Sequence, residues 1–316
     1  MTENVILGID TSNYTTSVAL MYDSGELIAN LKRPLPVKLG EHGLRQSDAV
    51  FAHIKNIPDI MDEARTFIGD NSPKAVGVST RPRNVDGSYM PCFLTGVAVA
   101  ESVSASLGVP LYKFSHQCGH IMAAIFSSGA SHILGKSFAA FHVSGGTTEM
   151  LRVSFTGSEF SAELVGATAD LNAGQVIDRI GSYLGLPFPS GKYLEELAKT
   201  NTKKLPSKKP KIADFKINLS GLENMAVKLY EETNDKALTA AFVLDYIEKG
   251  IEALAESYIE KYGDTEFLFA GGVMSNSIIR ENLKSKFKAH FAHPSLSADN
   301  AVGIAELARK SYIRSL

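Results

Sequence analysis

Residues 5–22 read VILGIDTSNYTTSVALMY, an apolar run, a polar turn rich in hydroxyl groups and a second apolar run. This pattern predicts a β-hairpin whose turn presents small polar groups. Residues 138–153 follow the same plan with the sequence FAAFHVSGGTTEMLRV. Because the two segments lie nearly half the chain apart, we predict a fold built from two duplicated lobes.

Strands alternate with helices over the rest of the chain. The predicted strands are residues 75–79, 109–112 and 266–273, and the predicted helices are residues 96–107, 237–262, 275–289 and 301–311. This alternation favours an α/β fold in which helices cover mixed sheets. We place the first lobe at residues 1–112, completed by a C-terminal helix at about 300–316, and the second lobe at residues 113–299.

Charge and composition exclude some classes of protein. The 316 residues carry 32 Lys and Arg against 34 Asp and Glu, a formal net charge of -2, so a contact with RNA would have to be local. The 44% hydrophobic and 21% charged residues are ordinary for a globular protein. Since no apolar run approaches the ~20 residues of a membrane span and the N-terminus is acidic, we expect a cytoplasmic protein without a membrane segment.

Three turns that contain glycines or hydroxyl groups follow predicted strands, at residues 8–12, 143–147 and 270–273. Glycines let backbone N–H groups approach phosphate oxygens, and small hydroxyls add donors without bulk. Two similar hairpins and a later glycine turn match the phosphate and adenosine motifs of the two-lobed actin-like ATPase fold, which sugar kinases, Hsp70-type chaperones and actin share. The alternative is that these are tight turns without a ligand.

His116 and His120 are four residues apart, so on a helix both rings project from one face and can bind one metal ion. The strongest candidate for a third ligand is Asp299, just before the last predicted helix. An Asp at that position is commonly a helix N-cap, and a histidine pair at this spacing is commonly a surface coincidence, so both alternatives stay open. Two imidazoles and a carboxylate suit Fe²⁺ or Zn²⁺ about equally and Mg²⁺ less.

Five lysines and two prolines cluster in residues 200–211. This composition predicts a solvated loop. The alternative is a local contact with an RNA backbone.

Five motifs occur together in one known family. They are His116-x-x-x-His120, Val143-Ser144-Gly145-Gly146-x-Thr148, Ser220-Gly221-Leu222, Gly271-Gly272-Val273-x-x-Asn276 and Asp299-Asn300-Ala301. On these motifs the chain resembles, over essentially its whole length, the universal tRNA threonylcarbamoyladenosine synthase family, formerly called O-sialoglycoprotein endopeptidase or glycoprotease. The resemblance implies an actin-like ATPase fold with a metal ion held by His116, His120 and Asp299.

The resemblance also implies an enzyme activity, the metal-dependent transfer of a threonylcarbamoyl group from threonylcarbamoyl-adenylate to adenosine 37 of tRNA. Such an acyltransferase of tRNA modification would use one divalent ion, Fe²⁺ or Zn²⁺, and an adenine nucleotide, either ATP or threonylcarbamoyl-adenylate. Family members act with a paralogous subunit and an ATPase, so tRNA and these proteins are the expected partners, in a homo- or heterodimer.

The resemblance assigns no catalytic residue. The residues it assigns to the substrate loop and the nucleotide are His142, Val143, Ser144, Gly145, Gly146, Asp178, Gly191, Glu195 and Asn276. Asp178 makes chemical sense independently, because a carboxylate that accepts from ribose hydroxyls is common in nucleotide pockets. Its alternative role is a surface charge on a helix.

The chain departs from the family pattern around the expected reacting group. Tyr14 and Thr15 stand where the family has an acidic pair, and Gln175 stands where it has a glutamate. The loops at residues 81–88 and 189–192 also differ. The departures indicate a divergent member, and the alternative function is a nucleotide-binding paralogue with a regulatory role or a different carbamoyl acceptor.

Two further classes fit less well. A metalloprotease of the HExxH type needs a glutamate as its general base, and Gln117 stands at that position. A sugar kinase would share the phosphate turns but has no need of paired histidines.

Overall fold

The structure, a computed structural model, describes residues 3–12, 14–36 and 44–316. Over these residues the chain divides into two compact units. The first unit comprises the described residues of Met1–Ser131, with Phe155–Ser161 and Ser295–Leu316, and the second comprises His132–Ser154 and Ala162–Pro294. Each unit is built around one β-sheet.

The described residues contain twelve strands and nine α-helices. The strands are β1 (Val5–Ser12), β2 (Thr15–Tyr22), β3 (Leu27–Pro34), β4 (Pro73–Arg81), β5 (Leu111–Ser115), β6 (Phe138–Val143), β7 (Thr148–Phe155), β8 (Phe160–Thr168), β9 (Ile212–Ala213), β10 (Lys216–Ile217), β11 (Phe267–Ala270) and β12 (Ala289–Phe291). The helices are α1 (Gln46–Ile68), α2 (Phe93–Leu107), α3 (His116–Ser128), α4 (Ala173–Tyr183), α5 (Gly191–Lys199), α6 (Ser220–Thr233), α7 (Lys236–Tyr262), α8 (Ser277–Lys286) and α9 (Val302–Ser315).

The two sheets repeat one strand order. The five-stranded sheet has the order β3-β2-β1-β4-β5, and the seven-stranded sheet has the order β12-β11-β6-β7-β8-β10-β9. β1 runs antiparallel to β2 and parallel to β4, just as β6 runs antiparallel to β7 and parallel to β11. The segment β8-β7-β6-β11-β12 therefore repeats the first sheet, which confirms the duplication predicted from the two hairpins and the α/β class with mixed sheets.

Strand β1 is buried along its whole length because helices cover both faces of the first sheet. Val5, Leu7 and Ile9 alternate along one face and join the apolar core formed with α1 and α2. Gly8 lies on the opposite face, where its Cα approaches the backbone of α9. The apolar runs thus form the centre of each sheet, and their polar ends are left for a site.

Helix α3 packs against α9 in the first unit. A Cβ added at Gly303 of α9 would lie 1.8 Å from the carbonyl oxygen of Gly119 in α3, so the two helices approach at a distance that only glycine permits. The histidines of α3 are expected in the second lobe from the sequence, whereas the structure groups α3 with the first unit. The reason is this glycine crossing, which attaches α3 to the C-terminal helix.

One predicted helix is shorter than expected. The helix predicted at residues 275–289 is α8, which ends at Lys286, and residues 289–291 form β12 instead. It begins at Ser277 because the Asn276 side chain accepts from the Ile279 N–H at 3.1 Å and ends the preceding 3₁₀ turn.

The lysine-rich segment at residues 201–211 contains neither helix nor strand, as its composition predicts. Lys203 is nevertheless held in place, since its Nζ lies 2.7 Å from Asp235 Oδ2. Among the described residues, each helix is too short or too polar to span a bilayer.

Candidate functional site

Two histidines at the start of α3 form the centre of the candidate metal site. Ser115 ends β5 and caps α3, its hydroxyl accepting from the Cys118 N–H at 3.2 Å. His116 and His120 follow one helical turn apart, with ring centroids separated by 4.3 Å. Their Nε2 atoms approach the same oxygen, Asp299 Oδ1, at 3.5 Å from His116 and 3.3 Å from His120. The structure therefore brings the three expected ligands together, with ligand atoms within 4.8 Å of one another.

Asp10, which is completely buried in β1, fixes the orientation of the first histidine. Its Oδ1 accepts a hydrogen bond from Nδ1 of His116 at 3.0 Å and another from the Ser79 hydroxyl. With the proton on Nδ1, the lone pair of Nε2 points toward Asp299, the arrangement by which proteins orient histidine ligands. Among the described residues, none donates a hydrogen bond to Asp10 Oδ2, although this atom is buried.

The cluster lies where three parallel strands end. β1, β4 and β5 run parallel as neighbours, so their carboxyl ends lie at one edge of the sheet. Asp10 and Ser79 lie near the ends of β1 and β4, and His116 directly follows β5. Ligands of open α/β sheets bind at this edge, because the strand ends and helix starts expose polar groups there.

The charges of the cluster favour a cation. Burial opposes ionisation of Asp10, but the charge of His116 and hydrogen bonds from His116 and Ser79 lower the pKa of Asp10. Burial also opposes ionisation of Asp299, but hydrogen bonds and charges from His116 and His120 hold its pKa far below the ordinary range. Burial would lower the pKa of His116, yet both carboxylates raise it. The two carboxylates are therefore ionised at neutral pH and attract a positive charge.

Asp299 does not act as the N-cap of the last helix, the alternative that the sequence left open. Ala301 is the N-cap residue of α9, and the preceding Asn300 accepts a hydrogen bond through its Oδ1 from the Val302 N–H at 3.0 Å. Lys32 is a second cation that acts on Asp299: burial lowers the pKa of Lys32, and the charge of Asp299 raises it. The Asp299 carboxylate is therefore not used to cap the helix, and it contacts the two histidines instead.

The turn between β1 and β2 carries the departures from the expected acidic pair. Asn13 lies outside the described residues. Tyr14 is 44% exposed, and Thr15 pairs with Ser12 in the hairpin. Thr16 is buried and lies 2.8 Å from Nδ1 of His53. The described part of this turn therefore offers hydroxyl groups where two carboxylates were expected.

The turn between β6 and β7, residues 144–147, is the candidate phosphate loop of the second unit. The Ser144 hydroxyl accepts from the N–H groups of Gly146 at 3.3 Å and Thr147 at 3.2 Å. Gly145 and Gly146 are exposed, and a Cβ at either would meet nothing within 4 Å. Val143 is buried and His142 half-buried just before the turn. The turn is fixed internally while its glycines leave room for a ligand.

The first residues of helix α4 hydrogen-bond to both ends of this turn. The Gly174 N–H donates to the Ser144 carbonyl at 3.1 Å, and the Ala173 N–H donates to Thr148 Oγ1 at 2.9 Å. A Cβ added at Gly174 would lie 2.6 Å from the Gly145 nitrogen, so the turn can rest on α4 only because this residue is glycine. The turn after β11 lies beside it, since Ala270 pairs with His142.

Asp178 and Gly191 lie close together. Asp178 projects from α4, and its Oδ1 accepts from the Ser190 N–H at 2.8 Å, one residue before Gly191 begins α5. A Cβ at Gly191 would meet nothing within 4 Å. The carboxylate is therefore anchored through one oxygen beside an open backbone position.

Glu195 and Asn276 meet at the start of α8. Asn276 is buried and caps this helix, while Glu195 Oε1 accepts from the hydroxyl of the next residue, Ser277, at 2.5 Å. Lys199 lies 2.6 Å from the same oxygen of Glu195, and hydrogen bonds from Lys199 and Ser277 outweigh burial and lower the pKa of Glu195. Asn276 and Glu195 therefore both stabilise the start of α8.

The changed glutamate of the α4 motif has a structural explanation. Gln175 Oε1 accepts from the Asn172 N–H at 3.0 Å and completes the capping box of α4, which an amide does as well as a carboxylate. Asp170 keeps its charge and accepts from the N–H groups of Leu219 and Ser220 at 2.8 and 3.1 Å. It thereby ties the start of α6 to β8.

Asp10, Ser79 and Lys32 were not identified as site residues from the sequence. A carboxylate inside an otherwise apolar buried strand is the signal that could have singled out Asp10, because a buried charge needs a partner. No comparable signal marks Ser79 or Lys32, which only the sheet topology and the position of Asp299 bring to the cluster.

Comparison with known proteins gives a consistent result. A family model described as tRNA N6-adenosine threonylcarbamoyltransferase matches residues 42–306. A protein of that name from Carboxydothermus hydrogenoformans is 31% identical over 320 residues, covering 98% of this chain and 92% of the relative. Another from Thermus thermophilus is 32% identical over 317 residues, covering 98% and 93%.

A solved structure of a ROK family protein from Streptococcus pneumoniae, in complex with sucrose, matches with a TM-score of 0.58 at 10% identity, over 99% of this chain and 100% of that chain. At this identity the likeness shows the fold alone. It confirms the two-sheet actin-like ATPase fold predicted from the duplicated hairpins and glycine turns.

Proposed function

Because this chain belongs to the tRNA N6-adenosine threonylcarbamoyltransferase family, we propose that it transfers a threonylcarbamoyl group from threonylcarbamoyl-adenylate to adenosine 37 of tRNA. In this transfer the adenine N6 forms a bond to the carbamoyl carbon and loses a proton. The bond from that carbon to the adenylate oxygen breaks, and AMP leaves with the electron pair.

The observation that carries the proposal is the convergence of His116 and His120 on Asp299 at the carboxyl edge of the first sheet. A family match alone would also fit a chain that had lost its site. Here two nitrogens and one oxygen of the types that bind Fe²⁺ or Zn²⁺ lie together, and the buried Asp10 orients one of the rings. The residues present therefore fit a resident divalent ion.

We assign His116, His120 and Asp299 as the ligands of this Fe²⁺ or Zn²⁺ ion, with Asp10 as their positioning residue. When bound, such an ion supplies a Lewis acid that polarises a carbonyl or phosphoryl oxygen. Asp10 keeps the His116 proton on Nδ1, and its burial excludes water from that hydrogen bond. The Lys32 ammonium, which donates to the Ser295 carbonyl at 2.9 Å, interacts electrostatically with Asp299.

The adenine nucleotide, ATP or the adenylate, is assigned to the second unit. His142, Val143, Ser144, Gly145 and Gly146 would surround its phosphate, because this turn combines exposed glycines with a fixed hydroxyl. The Asp178 carboxylate would accept from the ribose hydroxyls.

The open backbone at Gly191 and the capped turn at Asn276 would bound the nucleoside, with Glu195 in support. We assign these three residues to the nucleoside because of their positions in the second unit.

The remaining assignments follow from the proposed reaction. tRNA is the acceptor, and a paralogous subunit and an ATPase are the proposed protein partners, in a homo- or heterodimeric assembly in the cytoplasm. Since the net charge is -2, the tRNA contacts would be local. The lysines of residues 200–211 are a candidate contact, although Lys203 pairs with Asp235. We propose that the two lobes of the family correspond to the two compact units.

Nucleoside mass spectrometry of tRNA tests the proposal, in cells where this chain is the only member of its family. The chain should restore threonylcarbamoyladenosine, and His120→Ala should abolish it together with the metal content of the first unit. Gln117→Ala is the matched control, because it changes the same helix without touching the cluster, and it should restore the nucleoside. Absence of the nucleoside with the soluble, metal-loaded chain present would refute the proposed transfer.

A second candidate function, a nucleotide-binding paralogue with a regulatory role or a different carbamoyl acceptor, is favoured by Tyr14 and Thr15 at the positions of the acidic pair. It predicts that the chain binds adenine nucleotides but transfers nothing to tRNA when its partners are supplied. Transfer of labelled threonylcarbamoyl to tRNA in that assay would eliminate this candidate.

A further inference from the structure

We propose that the second unit contains a separate site for a divalent transition-metal ion of the Zn²⁺ class, formed by His132, Glu266 and His290. The Nε2 atom of His132 lies 2.8 Å from Glu266 Oε2, and the Nε2 atom of His290 lies 2.7 Å from the same oxygen. All three ligand atoms lie within 4.8 Å of one another. Two imidazole nitrogens and a carboxylate oxygen are a ligand set that Zn²⁺ accepts, with water in the fourth position.

Rigid backbone positions two of the three ligands. Glu266 directly precedes β11, and its carbonyl accepts from the Ala139 N–H of β6 at 3.1 Å. His290 lies in the middle of β12, which pairs with β11 in parallel register through Leu268. Because both residues sit at hydrogen-bonded positions of one sheet, the distance between their side chains is set by the sheet.

His132 completes the cluster from a different part of the chain. It lies in the short 3₁₀ helix Ser131–Gly135, which is separated from β6 by two residues, and is 134 positions from Glu266. Its ring meets that of His290 edge to face, with centroids 5.1 Å apart. The site therefore adds a ligand from a third segment, outside the sheet, to the two ligands that the sheet positions.

The exposure of the cluster suits an ion that keeps a water ligand. The side chain of His132 is 56% exposed, whereas those of Glu266 and His290 are 20% and 22% exposed. Solvent therefore reaches His132, whereas the Glu266 carboxylate is mostly buried. An ion can enter from this side without any opening of the fold.

A simple ion pair would satisfy this cluster less well. Two imidazoles donate to one carboxylate oxygen and compete for it, while an ion would accept electron pairs from both nitrogens and from the oxygen. Lys136 supplies the competing positive charge, with its Nζ 3.9 Å from Glu266 Oε1. Lys136 is largely exposed, so its charge is screened and weakens the site without closing it.

The test is the zinc stoichiometry of the full chain, measured by elemental analysis after equilibration with Zn²⁺ and gel filtration. The wild-type chain should hold two equivalents, one in each unit. His120→Ala should lose the first and keep the second, whereas His132→Ala with His290→Ala should do the reverse. The chain with all three substitutions should hold none.

Chelator competition gives the affinity of the second equivalent in the His120→Ala background. Adding His132→Ala should weaken it by more than about tenfold, since the loss of a mere supporting contact already costs 10–100-fold. Lys136→Ala is the matched control, and it should retain the equivalent with a tighter affinity because the competing charge is gone. Thermal unfolding checks that each variant is folded, and His132 is exposed enough to be replaced safely.

The proposal is overturned if the His120→Ala chain holds no zinc, or if the His132→Ala and His290→Ala chain retains the stoichiometry of the wild type. Either result would leave the cluster as an ion pair. Since the readout is zinc in the second unit, it is independent of whether the chain transfers threonylcarbamoyl groups.

Discussion

The two clusters of two histidines and one carboxylate, one in each unit, offer the same ligand atoms but are built in opposite ways. His116 and His120 lie on adjacent turns of one helix, and the buried Asp10 orients the ring of His116. His132 and His290 come from distant segments and meet over Glu266 at an exposed edge. Helix spacing and a buried partner thus define the first cluster, whereas sheet register defines the second.

The two clusters are therefore sensitive to different substitutions. The first depends on the packing of α3 against α9 and on a single buried carboxylate, so a change far from the ligands can destroy it. The second depends on backbone pairing among β6, β11 and β12 and tolerates changes of surface side chains. Variants that affect one cluster and spare the other separate the two modes of construction.

The largest effect is expected for Gly303→Ala. The added methyl group would lie 1.8 Å from the backbone oxygen of Gly119, so α3 and α9 must separate, at a cost of about 3 kcal/mol in the free energy of unfolding. Urea denaturation and metal analysis should show a destabilised chain that has lost the metal of the first unit but keeps zinc in the second. Gly221→Ala is the control, because a Cβ there meets nothing within 4 Å. Wild-type metal content in Gly303→Ala would refute the dependence on this crossing.

Asp10→Asn should come next. The amide keeps the shape of the side chain but removes the charge that holds the His116 proton on Nδ1, so metal affinity in the first unit should fall about 10–100-fold. Chelator competition measures this, with Asp59→Asn, an exposed change on α1, as the control. Zinc in the second unit should be unaffected. An unchanged affinity in the first unit would mean that Asp10 does not position the ligand.

Gly174→Ala should have an intermediate effect and should spare both clusters. A Cβ 2.6 Å from the Gly145 nitrogen would displace the candidate phosphate turn. A strain of about 1.4 kcal/mol in the bound state would weaken adenine-nucleotide binding roughly tenfold. Calorimetric titration with ATP measures the loss, again beside Gly221→Ala. If nucleotide affinity is unchanged, the turn at residues 144–147 does not hold the phosphate.

The smallest effect is expected for Asp170→Asn, which concerns only the polar framework of the second unit. Burial opposes ionisation of Asp170, but the Ser220 hydroxyl and the N–H groups of Leu219, Ser220 and Leu171 lower its pKa from 3.8 to about 2. The stabilisation is therefore present above pH 3.8 and is lost as the pH falls toward 2. Since the carboxylate is exposed, the destabilisation at pH 7 should be about 1 kcal/mol or less.

Urea denaturation of the wild-type and Asp170→Asn chains between pH 2 and pH 7 measures this difference. The two free energies of unfolding should converge as the pH approaches 2. A difference that stays constant over the whole range would show that the charge of Asp170 contributes nothing.

Local pattern was enough for the parts of the fold whose contacts are close in sequence. The two hairpins and the long helix ending at Tyr262 follow from apolar spacing and turn residues, and the structure confirms them. The boundaries of α8 did not follow from spacing. Its start depends on the Asn276 cap, and the strand after it forms because β11 offers a free edge.

The site was only partly predictable. The helical spacing of His116 and His120 could be seen directly, but Asp299 is 179 positions beyond His120 and could be named only as a candidate, with a helix N-cap as the alternative, until the family resemblance supported it. The assignment of α3 to the second lobe differs from the structure, because the Gly119–Gly303 contact that places it in the first unit leaves no trace in hydrophobic periodicity.

The duplicated α/β plan, the helical spacing of His116 and His120 and the motifs of a tRNA-modifying family can all be read from the sequence. These depend on periodicity and on motifs, which are local. Only the packed chain shows that Asp10 orients His116, that Ala301 rather than Asp299 is the N-cap residue of α9, and that His132, Glu266 and His290 meet. Each of these depends on the register of neighbouring strands or on the close contact of two backbones, and both are fixed only when the whole chain packs.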